Sequence, residues 1–250
     1  MRVKLTLAYD GRPFGGWQSQ PNADTIQDRL EAALAAIARQ PLRVHGAGRT
    51  DAGVHALGQV AHFDPPPGLA MTPANWVAAL NTKLPPTIRV MAAAQAPAGF
   101  HARLHATAKV YHYRISTRPV LPPLDAGLAW HLPRPPDASL LEQALARFRG
   151  RHDFRAFAAT RGTETPATDF HRTLHELAVD WTPDGPLLRF RGDGFLYKMI
   201  RMLTGSAVAV AAGRIPQAEL DRLLASPAPA ERTRHCAPPD GLTLVEVIYG

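Results

Sequence analysis

The apolar residues of this chain switch repeatedly between two spacings, and this switching limits the folds that are open to it. Val3, Leu5 and Leu7 occupy every second position before a turn at Asp10-Gly11, which is typical of a strand with one buried face. Apolar residues then follow at helical spacing from 26 to 37, after a start resembling a capping box at Thr25 to Asp28. The chain therefore begins with a strand and an amphipathic helix.

The remaining elements follow the same two patterns in an irregular order. Further strands are predicted over 59–63, 88–91, 110–116, 172–180, 187–191 and 242–249. Further helices are predicted from Thr72-Pro73, from a second capping box at Ser139 to Glu142, over 197–212 and from Pro216. The regular alternation of a parallel sheet is missing, so the pattern predicts an α+β fold. The proline-rich segment 118–136 is expected to connect two architecturally related halves.

The charge balance favours a polyanionic partner. The net charge is +7 and the isoelectric point is near 10.1. Arginine supplies 24 of the basic residues and lysine only 4. Guanidinium groups suit bidentate contact with phosphates and stacking on bases. A general compositional bias towards arginine, alanine and proline is an equally good explanation of the excess, so the charge alone does not identify a nucleic-acid partner.

Other features of the composition exclude whole classes of protein. A single cysteine, Cys236, excludes an internal disulfide framework and fits a reducing compartment. The longest uncharged apolar stretch, 203–213, is shorter than the roughly 18 residues of a membrane span. The first residues lack the pattern of a secretory signal. We therefore expect a cytoplasmic globular protein.

The segment 46–59, GAGRTDAGVHALGQ, carries the strongest chemical signal. Its glycines allow positive φ or a close approach to a ligand, and Arg49, Thr50 and Asp51 lie among them. A dinucleotide-binding fingerprint would need glycine at position 51, and a phosphate-binding Walker loop would need Lys-Ser/Thr after its last glycine. Neither requirement is met.

Two interpretations of Asp51 remain open on spacing alone. Its carboxylate could cap backbone N–H groups in a tight turn, with Arg49 as a solvated neighbour. Alternatively, nearby positive charge could keep the carboxylate ionised and available as a nucleophile or base.

Beyond this segment, motifs along nearly the whole chain resemble the TruA family of tRNA pseudouridine synthases. The matching blocks, in chain order, are Tyr9 to Gly11, Phe14 to Gln18, Thr25 to Gln27, Leu30-Glu31, Gly48 to His55, Gly58 to Val60, His62-Phe63, Phe100 to Arg103, Ala106 to Lys109, Tyr111 to Tyr113, Phe195 to Arg201 and Ala237 to Leu242. The resemblance implies isomerisation of uridine to pseudouridine at positions 38, 39 and 40 in the tRNA anticodon stem-loop. It also implies a homodimer that needs no cofactor and no metal.

The same resemblance assigns roles to four residues. Asp51 matches the catalytic aspartate, and Arg201 matches the arginine that pairs with it. Arg49 matches the arginine that enters the RNA duplex in place of the flipped nucleotide, and Tyr111 the tyrosine that stacks on the target uracil. Without the resemblance, Arg201 would be read as a surface residue of an amphipathic helix and Tyr111 as a core residue.

The resemblance also implies the arrangement of the two halves. Residues 1–105 would form an α/β half with the catalytic aspartate loop, and residues 106–250 a second half with Tyr111 and Arg201. Together they would form a pseudouridine synthase fold, with a central, mostly antiparallel mixed sheet, flanking helices and an active-site cleft between the halves.

Two rival functions stay open. The first is a non-catalytic tRNA-binding protein of the same fold. The second is a metal-dependent nuclease or phosphohydrolase that uses Asp51 and nearby histidines. The pairs His101/His105 and His171/His175 have a spacing of four residues, but no motif supplies a third ligand, so we expect no metal site there.

Overall fold

The computed structural model describes residues 2–162, 164–165, 167–225, 228 and 230–250. Its strands are β1 (Arg2–Tyr9), β2 (His45–Gly46), β3 (His55–Phe63), β4 (Ile88–Ala96), β5 (Ala106–Ser116), β6 (Trp130–His131), β7 (Gly150–Asp153), β8 (His171–Thr182), β9 (Gly185–Gly192) and β10 (Leu242–Tyr249). Its α-helices are α1 (Ile26–Ala38), α2 (Pro73–Lys83), α3 (Ala138–Ala146), α4 (Met199–Ala211) and α5 (Gln217–Ala225). Each strand and helix predicted from the sequence is present, most with longer bounds.

The first compact unit contains residues 1–107 and 243–250. Its strands lie in the order β4-β1-β3-β10, and β2 also pairs with β3. The β1 pairings with β3 and β4 are antiparallel, with Val3 opposite Phe63 and Arg2 opposite Ala96. The β3–β10 pairing is parallel. The last strand of the chain thus completes the sheet of the first unit, whereas the sequence assigned it to the second half.

Strand β1 and helix α1 show why this unit folds as predicted. Val3, Leu5 and Leu7 are buried on one face of β1, and the residues between them are partly exposed. At the start of α1 the Thr25 side chain accepts from the Asp28 N–H, and its hydroxyl donates to the Asp28 carboxylate at 2.6 Å. The predicted helix start is confirmed. The carboxylate, however, bonds the capping hydroxyl, whereas the sequence pattern predicts that it reaches the backbone N–H.

The second compact unit contains residues 108–242. Its strands lie in the order β5-β9-β8-β7 and are antiparallel, while the short β6 pairs in parallel with β5. The Tyr111, Tyr113 and Ile115 side chains share the buried face of β5, as the alternation predicts. The proline-rich segment 118–136 lies inside this unit. The prediction that it connects the two halves is therefore wrong.

Helix α3 begins earlier than the sequence pattern suggests. Its N-cap is Asp137, whose carboxylate accepts from the Leu140 N–H at 2.8 Å. The predicted cap, Ser139, lies within the first turn, and its hydroxyl accepts from the Gln143 side chain. A carboxylate at the N-terminus is also favoured by the helix dipole, which explains why Asp137 rather than Ser139 is the cap.

The predicted α+β class with a mostly antiparallel mixed sheet is confirmed. None of the helices in the described part of the chain combines the length and apolar character that crossing a bilayer requires.

His62 introduces a titratable group into the core of the first unit. It lies on β3 with 1% of its surface exposed, and its Nδ1 accepts from the Ala102 N–H at 3.1 Å. Burial is the main cause that lowers the pKa of His62 to about 4, and the positive charges of Arg2, His101 and His45 act in the same direction. Only Asp64 opposes this shift. His62 is therefore a neutral hydrogen-bond acceptor in the folded chain at neutral pH.

This depressed pKa predicts that acid destabilises the first unit. Between pH 6.5 and pH 4 the unfolded chain binds a proton at His62 that the folded chain does not, so the free energy of unfolding falls as the pH falls. The loss should reach at most about 3 kcal/mol near pH 4. Urea unfolding at a series of pH values measures it. His62→Gln should flatten this dependence, whereas His152→Gln in the second unit should not; equal slopes in all three proteins would contradict the assignment.

Candidate active site

Asp51 lies in the loop between β2 and β3, in the first unit. The loop is closed at its base by the Ala47 N–H, which donates to the Val60 carbonyl at 2.7 Å. At its tip the Val54 N–H donates to the Asp51 carbonyl at 3.1 Å, and Gly53 has a φ of 79°. The Asp51 side chain is half-buried. The structure thus presents this carboxylate on an ordered turn at the edge of the sheet.

The loop packs closely against the segment that follows β1. The Trp17 N–H donates to the Thr50 carbonyl at 3.0 Å. A Cβ atom at Gly46 would lie 2.5 Å from the indole ring of Trp17, so only glycine fits beside this buried ring. Gly16 has a φ of 100°, and a Cβ there would lie 2.7 Å from the Thr50 carbonyl oxygen. These glycines allow the two backbone segments to approach each other.

A buried hydrogen-bond network attaches the loop to the sheet. The Tyr9 hydroxyl at the end of β1 lies 2.8 Å from the Thr50 hydroxyl. The Gln59 amide of β3 donates to the Tyr9 hydroxyl at 3.3 Å and to the Gly48 carbonyl at 2.9 Å. Burial raises the pKa of the Tyr9 phenol to about 12, so the network stays protonated at neutral pH. The network thereby holds Gly48 and Thr50, the residues on either side of Arg49.

A second polar group supports the far side of the loop. The His55 Nδ1 accepts from the Gly11 N–H at 3.2 Å and lies 3.4 Å from a carboxylate oxygen of Asp10. Asp10 is in turn bonded to Arg12, and this hydrogen bond is the main cause that lowers the pKa of Asp10. The turn after β1 is therefore held by a contact within the turn, between Asp10 and Arg12, and by a contact with His55 at the start of β3.

Arg49 lies two residues before Asp51, in the same loop, and its side chain is exposed. Its Nε donates to the Gln18 amide oxygen at 3.1 Å. Arg49 is therefore more than a solvated neighbour of Asp51, because Gln18 of another segment orients its guanidinium.

Tyr111 belongs to the second unit. It lies on β5 opposite Phe190 of β9, and its side chain is only 5% exposed. Its ring meets Phe195 edge to face, with ring centroids 5.1 Å apart. This aromatic pair holds the ring in one orientation.

Arg201 also belongs to the second unit and lies in the first turn of α4. Every other residue of α4 is buried, so this helix has no broad polar face and Arg201 is not the surface residue of an amphipathic helix. Its Nε donates to the Ala237 carbonyl at 2.8 Å, while the Ala237 N–H donates to the Arg201 carbonyl at 2.9 Å.

The structure divides the four predicted residues between the two units. Asp51 and Arg49 share one loop of the first unit, whereas Tyr111 on β5 and Arg201 on α4 belong to the second. Among the residues that the structure describes, no three His, Cys, Asp or Glu side chains are grouped as a metal ion would require.

Sequence reasoning missed the residues that support the loop of Asp51, above all Tyr9, Gln59 and His55. All three lie in motifs that resemble the family, and this resemblance was the sequence feature that could have identified them. No spacing rule connects Tyr9 to Thr50 across 41 residues of chain.

Comparisons with known proteins give consistent results. The family model described as tRNA pseudouridine synthase matches residues 6–104 and 144–250. The tRNA pseudouridine synthase A of Akkermansia muciniphila is 52% identical over 251 residues, which cover 99% of this chain and 95% of the relative. The protein of the same name from Burkholderia mallei is 42% identical over 255 residues, which cover 100% of this chain and 90% of the relative.

A solved structure titled "Crystal Structure of a Cbf5-Nop10-Gar1 Complex" aligns with 82% of this chain and 44% of that chain. The TM-score is 0.37 and the sequence identity is 13%. At these values the structural similarity does not establish a common fold, and the family assignment depends on the sequence matches alone.

The hydrogen-bond network predicts that Tyr9→Phe loosens the loop without disrupting the sheet. Removing the phenolic hydroxyl leaves the Thr50 hydroxyl and the Gln59 amide without this partner, at a cost of about 1–3 kcal/mol. Amide hydrogen exchange should therefore accelerate about tenfold or more at Trp17 and Val54, whose N–H groups bond to the loop backbone.

Tyr249→Phe is the matched control, because it removes another hydrogen-bonded phenol of the same unit, one that is partly buried. The Tyr249 hydroxyl donates to the Ala102 carbonyl at 2.8 Å, away from the loop. This variant should lose comparable stability while Trp17 and Val54 keep their protection. Unchanged exchange at both amides in Tyr9→Phe would show that the network does not hold the loop.

Proposed function

The chain belongs to the tRNA pseudouridine synthase family, and we propose that it isomerises uridine to pseudouridine at positions 38, 39 and 40 of the tRNA anticodon stem-loop. The observation that carries the proposal is the place of Asp51. It lies in a family-matched segment, on a loop that hydrogen bonds at Thr50 and Gly48 attach to β1 and β3. Such an ordered carboxylate is suited to acting on a substrate.

The reaction is an isomerisation whose atoms balance without a second substrate. The glycosidic bond between N1 of uracil and C1′ of ribose breaks, the base turns, and a new bond joins C5 to C1′. C5 loses its proton and N1 gains one. The Asp51 carboxylate is proposed to add to the base or the ribose, or to remove the proton, and then to leave.

The target base must leave the helical stack, because N1 and C5 cannot exchange places while the base is stacked. Flipping a nucleotide costs a few kcal/mol, which contacts with the protein must offset. We propose that Tyr111 supplies an aromatic surface for the uracil and that Arg49 takes the place of the flipped nucleotide. The fixed Tyr111 ring and the oriented Arg49 side chain support these roles.

Arg201 is proposed to have the role that the family resemblance implies, which is to pair with the catalytic carboxylate. The burial pattern of α4 supports this role, because Arg201 is the one residue of the helix that is not buried. We also propose, on the resemblance, a homodimer acting in the cytoplasm. Light scattering that gives the mass of one 27.1 kDa chain would contradict the dimer.

Replacement of the Asp51 carboxylate separates catalysis from binding. Asp51→Asn keeps the size of the side chain but removes its charge, so pseudouridine formation in a tRNA transcript should fall by at least about 10³-fold. Affinity for the tRNA should stay within a few-fold. Mapping of pseudouridine after incubation without metal or cofactor measures the first quantity, and fluorescence anisotropy measures the second.

Asp64→Asn is the matched control for this experiment. It removes another carboxylate of the first unit, one that pairs with Arg2, and should leave product formation intact. Product formed by purified Asp51→Asn would refute the role of Asp51. Tight tRNA binding by a native protein that forms no product would instead favour the non-catalytic alternative, and cleaved RNA would favour a nuclease.

The proposed stacking role of Tyr111 predicts a difference between two replacements. Tyr111→Phe retains the ring, so RNA binding should be unchanged. Tyr111→Leu should weaken binding about tenfold or more, since stacking of a base contributes about 1–3 kcal/mol. Single-turnover rates then test the hydroxyl, because a slower Tyr111→Phe assigns it to proton transfer and an unchanged rate assigns Tyr111 to stacking alone. Equal binding by both variants would refute the stacking role.

A further inference from the structure

A polar pocket of about 270 Å³ opens in the first unit beside the loop that carries Asp51. Its walls include Arg43, His45, Arg49, His101 and Arg103. None of the described residues that line it carries a carboxylate. Three guanidinium groups and two imidazoles therefore face one volume, which makes the pocket a site for an anion.

The positive charge of this pocket is largely uncompensated. Arg43 has its Nη1 atom 4.0 Å from the Glu31 carboxylate, at the limit of an ion pair. Within the described part of the chain Arg103 forms no ion pair, whereas Arg29 and Arg222 each bind a carboxylate at close range. Two of the three guanidiniums can thus engage a ligand without first breaking a strong contact.

The third guanidinium is oriented by a chain of side-chain amides. The Glu31 carboxylate accepts from Gln27 at 2.8 Å, the Gln27 oxygen accepts from Gln18 at 2.7 Å, and the Gln18 oxygen accepts from Arg49 at 3.1 Å. Gln18 and Gln27 also line the pocket. This series of hydrogen bonds links the pocket wall to helix α1 and orients the Arg49 guanidinium beside the pocket.

The histidine of the 101–105 turn contributes an uncharged donor. The His101 Nδ1 lies 3.2 Å and 3.3 Å from the backbone N–H groups of Arg103 and Leu104, from which it accepts. Its remaining proton is consequently on Nε2, which can donate to a ligand oxygen. Burial is the main cause that lowers the pKa of His101, so at neutral pH His101 supplies a hydrogen-bond donor and no charge.

The largest aromatic ring in the pocket wall is closed to a ligand, since Trp17 is only 2% exposed. The accessible groups are dominated by guanidinium cations and N–H donors, which match the oxygens of a phosphate group.

We propose that this pocket binds one backbone phosphate of the RNA strand that carries the target uridine. The inference rests on the proposed function, since it places a phosphodiester of the same substrate next to the loop of Asp51. Arg49 connects the two sites, because it lines the pocket and lies two residues before Asp51. The phosphate contact would set the position of the strand, while Asp51 acts on the base.

The test uses fluorescence anisotropy with the native chain and a short RNA stem-loop transcript over a range of salt concentrations. Arg43→Gln and Arg103→Gln should each weaken binding about tenfold, and each should reduce the slope of log K against log salt by about one. Lys83→Gln is the control. It removes one exposed charge at the end of α2, outside the pocket, and should leave the slope unchanged.

A scan of the RNA backbone then identifies the phosphate. Each phosphodiester in turn is replaced by an uncharged methylphosphonate, and binding is measured with native protein and with Arg103→Gln. One replacement should weaken binding to the native protein and have no effect on the variant, because the same contact is already lost.

The remaining outcomes overturn the proposal. If every replacement has the same effect on both proteins, the pocket does not bind the strand. If inorganic phosphate at low millimolar concentration occupies the pocket of the native protein without displacing RNA, the pocket serves a free anion. Native protein that forms no pseudouridine refutes the proposed function, whereas active protein with unchanged salt slopes in both arginine variants refutes the pocket alone.

Discussion

The loop that carries Asp51 depends on a buried contact at its centre, the 2.8 Å approach of the Tyr9 and Thr50 hydroxyls. The loop is rich in glycine, so its backbone has many conformations open to it and loses much entropy on ordering. Tyr9, Gln59 and the Trp17 backbone offset that cost with hydrogen bonds to Gly48 and Thr50, the two neighbours of Arg49. The glycines let the loop backbone pack closely, and polar groups of β1 and β3 restrict it to one conformation.

In the first unit arginine side chains provide charge at the surface, while two histidines serve as uncharged hydrogen-bond acceptors. His62 and His101 accept backbone N–H groups through Nδ1 and have lowered pKa values, so they support the turn after β4 as neutral groups. Arg43, Arg49 and Arg103 keep their charge and line the pocket. One face can therefore attract a polyanion while the core beneath it avoids buried charge.

Local rules succeeded where one segment of chain decides its own structure. The alternation at Val3, Leu5 and Leu7 and the cap at Thr25 are confirmed because burial and capping act within a few residues. Ser139 failed as a cap because Asp137, two residues earlier, offers a charged acceptor to the same helix end. The proline-rich segment failed as a linker because composition reports turns and not which elements pack on either side of them.

The order of strands and helices, the glycines at positions 46 and 53 and the family motifs around Asp51 were all determined by the sequence alone, because each depends on neighbours along the chain. Tertiary structure alone decided that Tyr9 supports Thr50, that the last strand completes the first sheet, and that Arg43 and Arg103 face one pocket. These contacts join residues tens of positions apart. Their energies are gained only when the sheet brings the segments together, so no local pattern encodes them.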